Sequence, residues 1–460
     1  MSTTETPTSD RPPARTSRWI DHWDPENEQF WERTGKRIAV RNLWFSIFAE
    51  HIGFSIWVMW SVLVLTMGPK YGLSAADKFL LVSLPNLVGA VLRVPYTFAV
   101  AVFGGRNWTM ISAGLLLVPA IAAAVVLKPG VSFGTLLLVA MLAGVGGGNF
   151  ASSMTNINTF YPERLKGTAL GLNAGGGNIG VAAIQLVGLG IIAVAGPSAP
   201  QVLLGIYIPL IVLAVAGAAL FMDNISAVRN DTGAAKEALA ERQLWIMSFL
   251  YIGTFGSFIG YSFAFGLVLQ SQFHRSPLQA AAVTFIGPLL GSLIRPVGGW
   301  LSDRIGGSKV TFWSFIAMAA ATLLVVLASA AESLTLFTLG FIALFVISGV
   351  GNGSTYKMIP SIFRAKAKHA TSSGEPAEAA YARARRLSGA TIGIVSAVGA
   401  LGGVLINVAF RQSFQTTGSG VVAFYSFLAF YAACSVLTYV VYLRKVEVTA
   451  TSPQLVLEGV

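Results

Sequence analysis

Apolar residues run along this chain in segments of about twenty or more, separated by short polar stretches rich in Gly, Pro, Lys and Arg. Twelve such segments occupy approximately 40–67, 78–103, 109–127, 133–160, 166–194, 201–222, 243–270, 278–301, 309–329, 334–362, 388–411 and 420–443. They are too long for core strands, and a backbone facing lipid must satisfy its own hydrogen bonds, which a helix does. The pattern predicts an all-α membrane protein with twelve transmembrane helices. The first 37 residues are polar and lack an apolar stretch followed by a small-residue cleavage site, so no cleavable signal peptide is expected.

The pattern also repeats at half its length. Residues 89–105, GAVLRVPYTFAVAVFGG, register on 291–307, GSLIRPVGGWLSDRIGG, with a constant offset of 202 for Gly89/Gly291, Arg93/Arg295 and the terminal glycine pair. Leu43-Trp44 opens the first span as Leu244-Trp245 opens the seventh, and Gly144-Val145-Gly146 resembles Gly349-Val350-Gly351. Two six-helix pseudo-repeats follow, 38–222 and 243–445, joined by a charged linker at 223–242 and flanked by an N-terminal segment, 1–37, and a tail, 446–460.

Composition agrees with a membrane assignment: 54% of the 460 residues are hydrophobic and 11% charged. Most of the Lys and Arg fall on one side if both termini are cytoplasmic, which fixes that orientation by the positive-inside rule. The net charge of +11 therefore reads as topology and contact with anionic lipid, and a nucleic-acid partner is not expected. Cys434 is the single cysteine, so there is no internal disulfide framework. No HExxH, CxxC, P-loop or supported GxSxG motif is present, and neither an enzyme nor a cofactor or metal is expected.

Two charges break the apolar pattern. Arg93 and Arg295 each lie eleven residues before a Gly-Gly pair, Gly104-Gly105 and Gly306-Gly307, and at 1.5 Å per residue that depth is roughly 16 Å, near the bilayer midplane. Charged side chains there mark a functional site, here one for an anion, because a guanidinium is permanently charged and offers a planar fork of donors. A cation would be repelled.

Glycine gives another signal. Four-residue spacings concentrate in the fourth, fifth, tenth and eleventh spans, including Gly171/Gly175, Gly176/Gly180 and Gly399/Gly403. Small residues on one face let helices cross closely, either as plain packing or as a surface that rocks during transport. A bulky residue at Gly175 or Gly403 is expected to block that motion. Asn178, inside AGGGNIG, needs partners and either bonds a neighbouring helix or faces the substrate path.

The stretches GVGGGNFASSM (144–154), LGLNAGGGNIG (170–180), TFGSFIGYS (254–262), RPVGGWLSDRIGG (295–307) and GALGGVLIN (399–407) together resemble the nitrate/nitrite porters of the major facilitator superfamily, the NarK type. GGWLSDRIGGSK (298–309) also looks like that superfamily's loop signature, from which the first half departs, keeping only Gly104-Gly105-Arg106. The resemblance covers nearly the whole chain. It implies a major facilitator fold, a monomeric unit, and a secondary transporter that moves nitrate and nitrite between its two halves. It also implies an anion clamp by Arg93 and Arg295, with Phe150, Tyr251 and Phe255 lining the site and Asn178 as the fifth-span asparagine. Phosphate or an organic carboxylate is the alternative substrate, and a non-transporting anion sensor the alternative function. A multi-pass protein of a prokaryotic plasma membrane is expected.

Glu50-His51 in the first span leaves coupling open. Glu50 lies nine residues, roughly 14 Å, beyond Arg41, and a carboxylate at that depth must pair, protonate or face water. A static salt bridge to Arg93 or Arg295, or a hydrogen bond to a fifth- or seventh-span side chain, is one reading. A proton-carrying group for nitrate/proton symport is the other, against nitrate/nitrite antiport. His51 titrates in the physiological range but faces about 100° away. Lys357 either snorkels to the interface or lies on an exit path.

Overall fold

The structure is a computed structural model that describes residues 18–444 except 198 and 229; residues 1–17 and the expected tail, 446–460, lie outside the described residues. All twelve apolar segments are helices: α1 Glu28–Thr66, α2 Ala75–Phe103, α3 Gly105–Val126, α4 Phe133–Phe160, α5 Glu163–Ala195, α6 Pro200–Phe221, α7 Arg242–Phe273, α8 Pro277–Ile305, α9 Gly307–Ala330, α10 Leu334–Ser372, α11 Ala377–Thr417 and α12 Val421–Leu443. For orientation, the end of the bundle bearing residues 18–27 is called the terminal face and the end bearing residues 67–74 the far face.

Several helices outrun their apolar cores. α1 begins at Glu28, where the Asn27 side chain accepts from the Phe30 amide at 3.1 Å and caps the helix. α10 continues to Ser372 and α11 starts at Ala377, so the hairpin between them projects beyond the apolar segments. Lys366 pairs with Glu241 at 2.5 Å and Arg383 with Glu375 at 2.9 Å along that projection.

The halves repeat in structure. α2 turns into α3 at Gly104, φ +84°, and α8 into α9 at Gly306, φ +94°, a conformation that favours glycine. The neighbouring glycines are equally constrained: a Cβ on Gly105 would strike Asn156 of α4, and one on Gly307 would strike Met358 of α10. Across the halves α2 packs on α11 and α5 on α8, which places Arg93 and Arg295 in equivalent seams.

The linker is ordered where it was expected only to be charged. Asn224–Ile225 (β2) pairs in parallel with Trp19–Ile20 (β1), and Thr232–Ala240 is a short helix. Asp223 anchors its start, ion-paired with Arg41 and accepting from Asn42 Nδ2 at 3.0 Å. The linker then touches both halves, through Asn230 to the Phe98 carbonyl at 3.0 Å and through Asp231 and Glu237 to Arg386.

At the far face the two halves are bridged directly. Gln270 Nε2 donates to the Leu65 carbonyl at 3.0 Å, and Gln185 Nε2 to the Ser262 carbonyl at 2.8 Å. Phe79 of α2 stacks on Phe410 and Phe414 of α11, with centroids 5.5 and 5.2 Å away.

Candidate functional site

Arg93 is fully buried on α2, two residues before Pro95, and Arg295 is buried on α8, directly before Pro296. Proline lacks an amide hydrogen and breaks the helical ladder near each arginine. Arg93 Nε donates to the Gly147 carbonyl of α4 at 3.2 Å, and Nη1 to the Ser396 carbonyl of α11 at 2.9 Å. Its Nη2 has no protein partner among the described residues. Arg295 Nη2 donates to Tyr251 Oη at 3.0 Å, and its Nη1 has no protein partner among the described residues.

Aromatic rings connect the two cations. The Arg93 guanidinium carbon lies 4.8 Å from the centroids of both Phe150 and Phe255, and 5.4 Å from Trp57. Phe150 and Phe255 are 6.4 Å apart, and Phe255 stacks on Tyr251 at 5.3 Å with planes 8° apart. The chain of contacts therefore runs Arg93, Phe255, Tyr251, Arg295, and brings five of the six substrate-binding candidates into one cluster. A wide π-helical turn at Ile252–Gly256, immediately after Tyr251, lets Tyr251 and Phe255 present nearly parallel rings. Gly256 packs on the backbone of Gly402, so α7 and α11 approach without side chains between them.

The sixth candidate, Asn178, is buried on α5, and its carboxamide oxygen has no protein partner. Tyr356 of α10 was absent from the sequence-derived set. Its ring lies 5.6 Å from the Arg295 guanidinium carbon and 6.1 Å from Tyr251, and its hydroxyl is buried without a protein partner.

Glu50 is fully buried on α1. Its Oε2 accepts from Asn173 Nδ2 of α5 at 2.7 Å and from the Ser153 hydroxyl of α4, while Oε1 has no protein partner. A Cβ at Gly177 would collide with this carboxylate, so that glycine makes room for it. The fifth-span hydrogen bond is thus the partner found, and the salt bridge to Arg93 or Arg295 is not: among the described residues neither arginine forms an ion pair within 4.0 Å. Asn173 and Ser153 both lie inside the glycine motifs, where a polar residue among small ones was the available signal. His51 points elsewhere, its Nδ1 3.1 Å from the Gly176 carbonyl, and does not join the Glu50 cluster.

The crossing glycines separate into two groups. A Cβ would strike Ile47 at Gly176, the His51 carbonyl at Gly180, the Tyr251 ring at Gly399, and Asn86 and Ile259 at Gly403. Gly175 differs from expectation: nothing lies within 4 Å of a Cβ there, because its face of α5 turns away from α1. Lys357 is half exposed and pairs with Asp303 at 2.9 Å, beside a polar cavity of about 210 Å³ lined also by Ser302, Ser361 and Arg364.

Comparison with known proteins agrees with this architecture. The Major Facilitator Superfamily pattern matches residues 43–406. The chain is 39% identical to the nitrate/nitrite transporter NarU of Salmonella typhimurium, over 93% of this chain and 96% of that one. It is 37% identical to the Escherichia coli NarU, over 94% and 98%, and 34% identical to the probable nitrate/nitrite antiporter NarK2 of Thermus thermophilus, over 93% and 97%. Among solved structures it resembles a D-xylose-proton symporter, with TM-score 0.65 and 13% identity over 87% of this chain and 96% of that one. The Escherichia coli xylose transporter XylE in a partially occluded inward-open conformation gives TM-score 0.65 and 12% identity over 88% and 97%.

Proposed function

Because the chain belongs to the Major Facilitator Superfamily, we propose that it is a secondary transporter carrying nitrate and nitrite across the cell membrane by alternating access. The observation that carries this reading is the pair of buried arginines on equivalent helices, each with one guanidinium nitrogen left without a protein partner. Nitrate is planar, singly charged and small, and it accepts hydrogen bonds in its plane from such forks. The faces of Phe150 and Phe255 favour a flat ligand, and Tyr251 fixes Arg295 by accepting a hydrogen bond from its other terminal nitrogen. The relatives named as nitrate/nitrite transporters support the same substrate.

In this reading the terminal face is cytoplasmic by the positive-inside rule, the halves 38–222 and 243–445 rock about the site, the surface contacts anionic lipid and the unit is a monomer. Transport is coupled to protons through Glu50. Asn173 and Ser153 hold its carboxyl group by neutral donors, so the group stays oriented whether or not it carries a proton. An anion arriving among the arginines favours a proton on the nearby carboxylate, and by reciprocity the proton favours the anion. Antiport is the second reading, favoured by the 34% identical relative named as a probable antiporter.

The test is nitrate binding to the purified protein. Arg93→Lys and Arg295→Lys keep the charge but lose the planar fork, and each is expected to weaken binding roughly 10- to 100-fold, the cost of about 1.5–3 kcal/mol for a hydrogen bond to a charged ligand. Wild-type affinity in both variants would sink the assignment.

A further inference from the structure

α2 and α11 form an antiparallel seam with a regular register. Phe79 meets Phe410, Asn86 meets Gly403, and Arg93 meets Ser396, each step moving seven residues along both helices. Thr97 then lies beside Gly393, with 3.7 Å between its methyl group and a Cβ placed there. Seven residues are close to two helical turns, so Phe79, Asn86 and Arg93 share one face of α2, about 10 Å apart in depth.

Asn86 is the anomaly in this seam. It is fully buried, and among the described residues neither its carboxamide nitrogen nor its oxygen has a protein partner. A buried amide left unsatisfied forfeits the hydrogen bonds it makes in water, and a leucine of similar shape would fill the position without that cost. Glycine at 403 is required opposite it, since any Cβ there would overlap the amide nitrogen. The preceding carbonyl, of Pro85, is already taken by Trp57 Nε1 at 2.8 Å, which ties this turn of α2 to α1. Asn86 therefore sits between the aromatic stack that closes the far face and the arginine at the site, on the face of the seam that must part for an anion to enter from that side.

We infer that Asn86 is a waypoint for the anion, donating its carboxamide hydrogens to a small planar oxyanion between the far-face opening and the arginine pair. The inference rests on the nitrate reading and on the orientation that makes the far face external. When α2 and α11 separate, Gly403 uncovers the amide, and the aromatic rings of Phe79 and Phe410 no longer seal it from water. An amide gives direction without a third fixed positive charge, so the anion is held long enough to reach Arg93 and is not trapped on the way. Its separation from Gly403 and reclosure then return it to the dry seam.

Sidedness distinguishes this role from packing. Nitrate transport is measured in right-side-out and inside-out membrane vesicles for wild type and Asn86→Leu, with equilibrium nitrate binding to the purified protein alongside. The expected result is a KM for external nitrate raised roughly tenfold, with the KM for cytoplasmic nitrate and the binding affinity of the arginine site unchanged. Asn86→Ser, which keeps a smaller donor, should recover part of the external KM, and it carries the same comparison if the leucine variant fails to insert. An unchanged external KM in both variants, or equal rises from both sides, would overturn the waypoint while leaving the nitrate reading intact. Wild-type protein that neither binds nor moves nitrate would overturn both.

Discussion

Tyr356 places a buried hydroxyl without a protein partner beside Arg295, whose guanidinium carbon lies 5.6 Å from its ring. A nitrate oxygen shared between Arg295 Nη1 and this hydroxyl would satisfy both groups. Removing the hydroxyl alone, as Tyr356→Phe, is expected to weaken nitrate binding about fivefold, near 1 kcal/mol, without disturbing the stack on Tyr251. Titration of nitrate into the purified variant checks this, and unchanged affinity would place the hydroxyl outside the site. The arginines were legible in the sequence because a charge inside an apolar segment is a conspicuous exception. Tyr356 was not, because a tyrosine beside Lys357 near the end of the apolar segment 334–362 looks like an interfacial residue until the packing of α10 against α7 turns it inward. Phe150, Tyr251, Phe255 and Asn178 came from resemblance to a family; the three rings stack into a bridge between two like charges, whereas Asn178 lies outside that stack.

At the scale of helices, the sequence pattern located all twelve spans, but it could not say which glycines lie at crossings. Spacing of four residues puts Gly171, Gly175, Gly176 and Gly180 on neighbouring parts of α5, yet only some of them face α1. Gly180 meets the His51 carbonyl, whereas Gly175 meets nothing within 4 Å. Gly399 bears most directly on the site, because a Cβ would enter the ring of Tyr251, whose hydroxyl accepts from Arg295. Gly399→Val is expected to abolish nitrate uptake with the protein still inserted, through overpacking of about 1–3 kcal/mol that displaces Tyr251. Gly175→Leu is expected to transport within about twofold of wild type. Uptake in vesicles, normalised to inserted protein, checks the pair, and the opposite ranking would reject this assignment of crossing faces. The helix ends were also beyond hydropathy. Residues 363–387 are polar but rich in Ala, Lys, Arg and Glu, good helix formers, and ion pairs such as Lys366 with Glu241 extend α10 into a projection that no lipid requires.

For the whole molecule the question is what compensates two buried positive charges when no anion is bound. Among the described residues neither Arg93 nor Arg295 has an ion-pair partner, and each instead uses carbonyl or phenol oxygens. One monovalent anion leaves an excess positive charge, and Glu50, buried within the same half as Arg93, is placed to offset it. In the empty carrier an ionised Glu50 would ease the return across the membrane; in the loaded carrier nitrate takes over that role and the carboxyl group carries a proton. The halves would then reorient with the same net charge in both conditions, as a 1:1 nitrate/proton symport implies, and binding of either ion favours the other. If Glu50 instead stays protonated throughout, a neutral group held by Asn173 and Ser153, the empty carrier keeps both positive charges uncompensated and needs nitrite on the opposite side to return. An imposed pH gradient, acidic outside, is expected to drive nitrate uptake into proteoliposomes by wild type without internal nitrite. Glu50→Gln should lose the response to the gradient while retaining nitrate/nitrite exchange, since glutamine keeps the hydrogen bonds from Asn173 and Ser153 within reach. Wild-type uptake that ignores the gradient but demands internal nitrite would reject symport in favour of antiport.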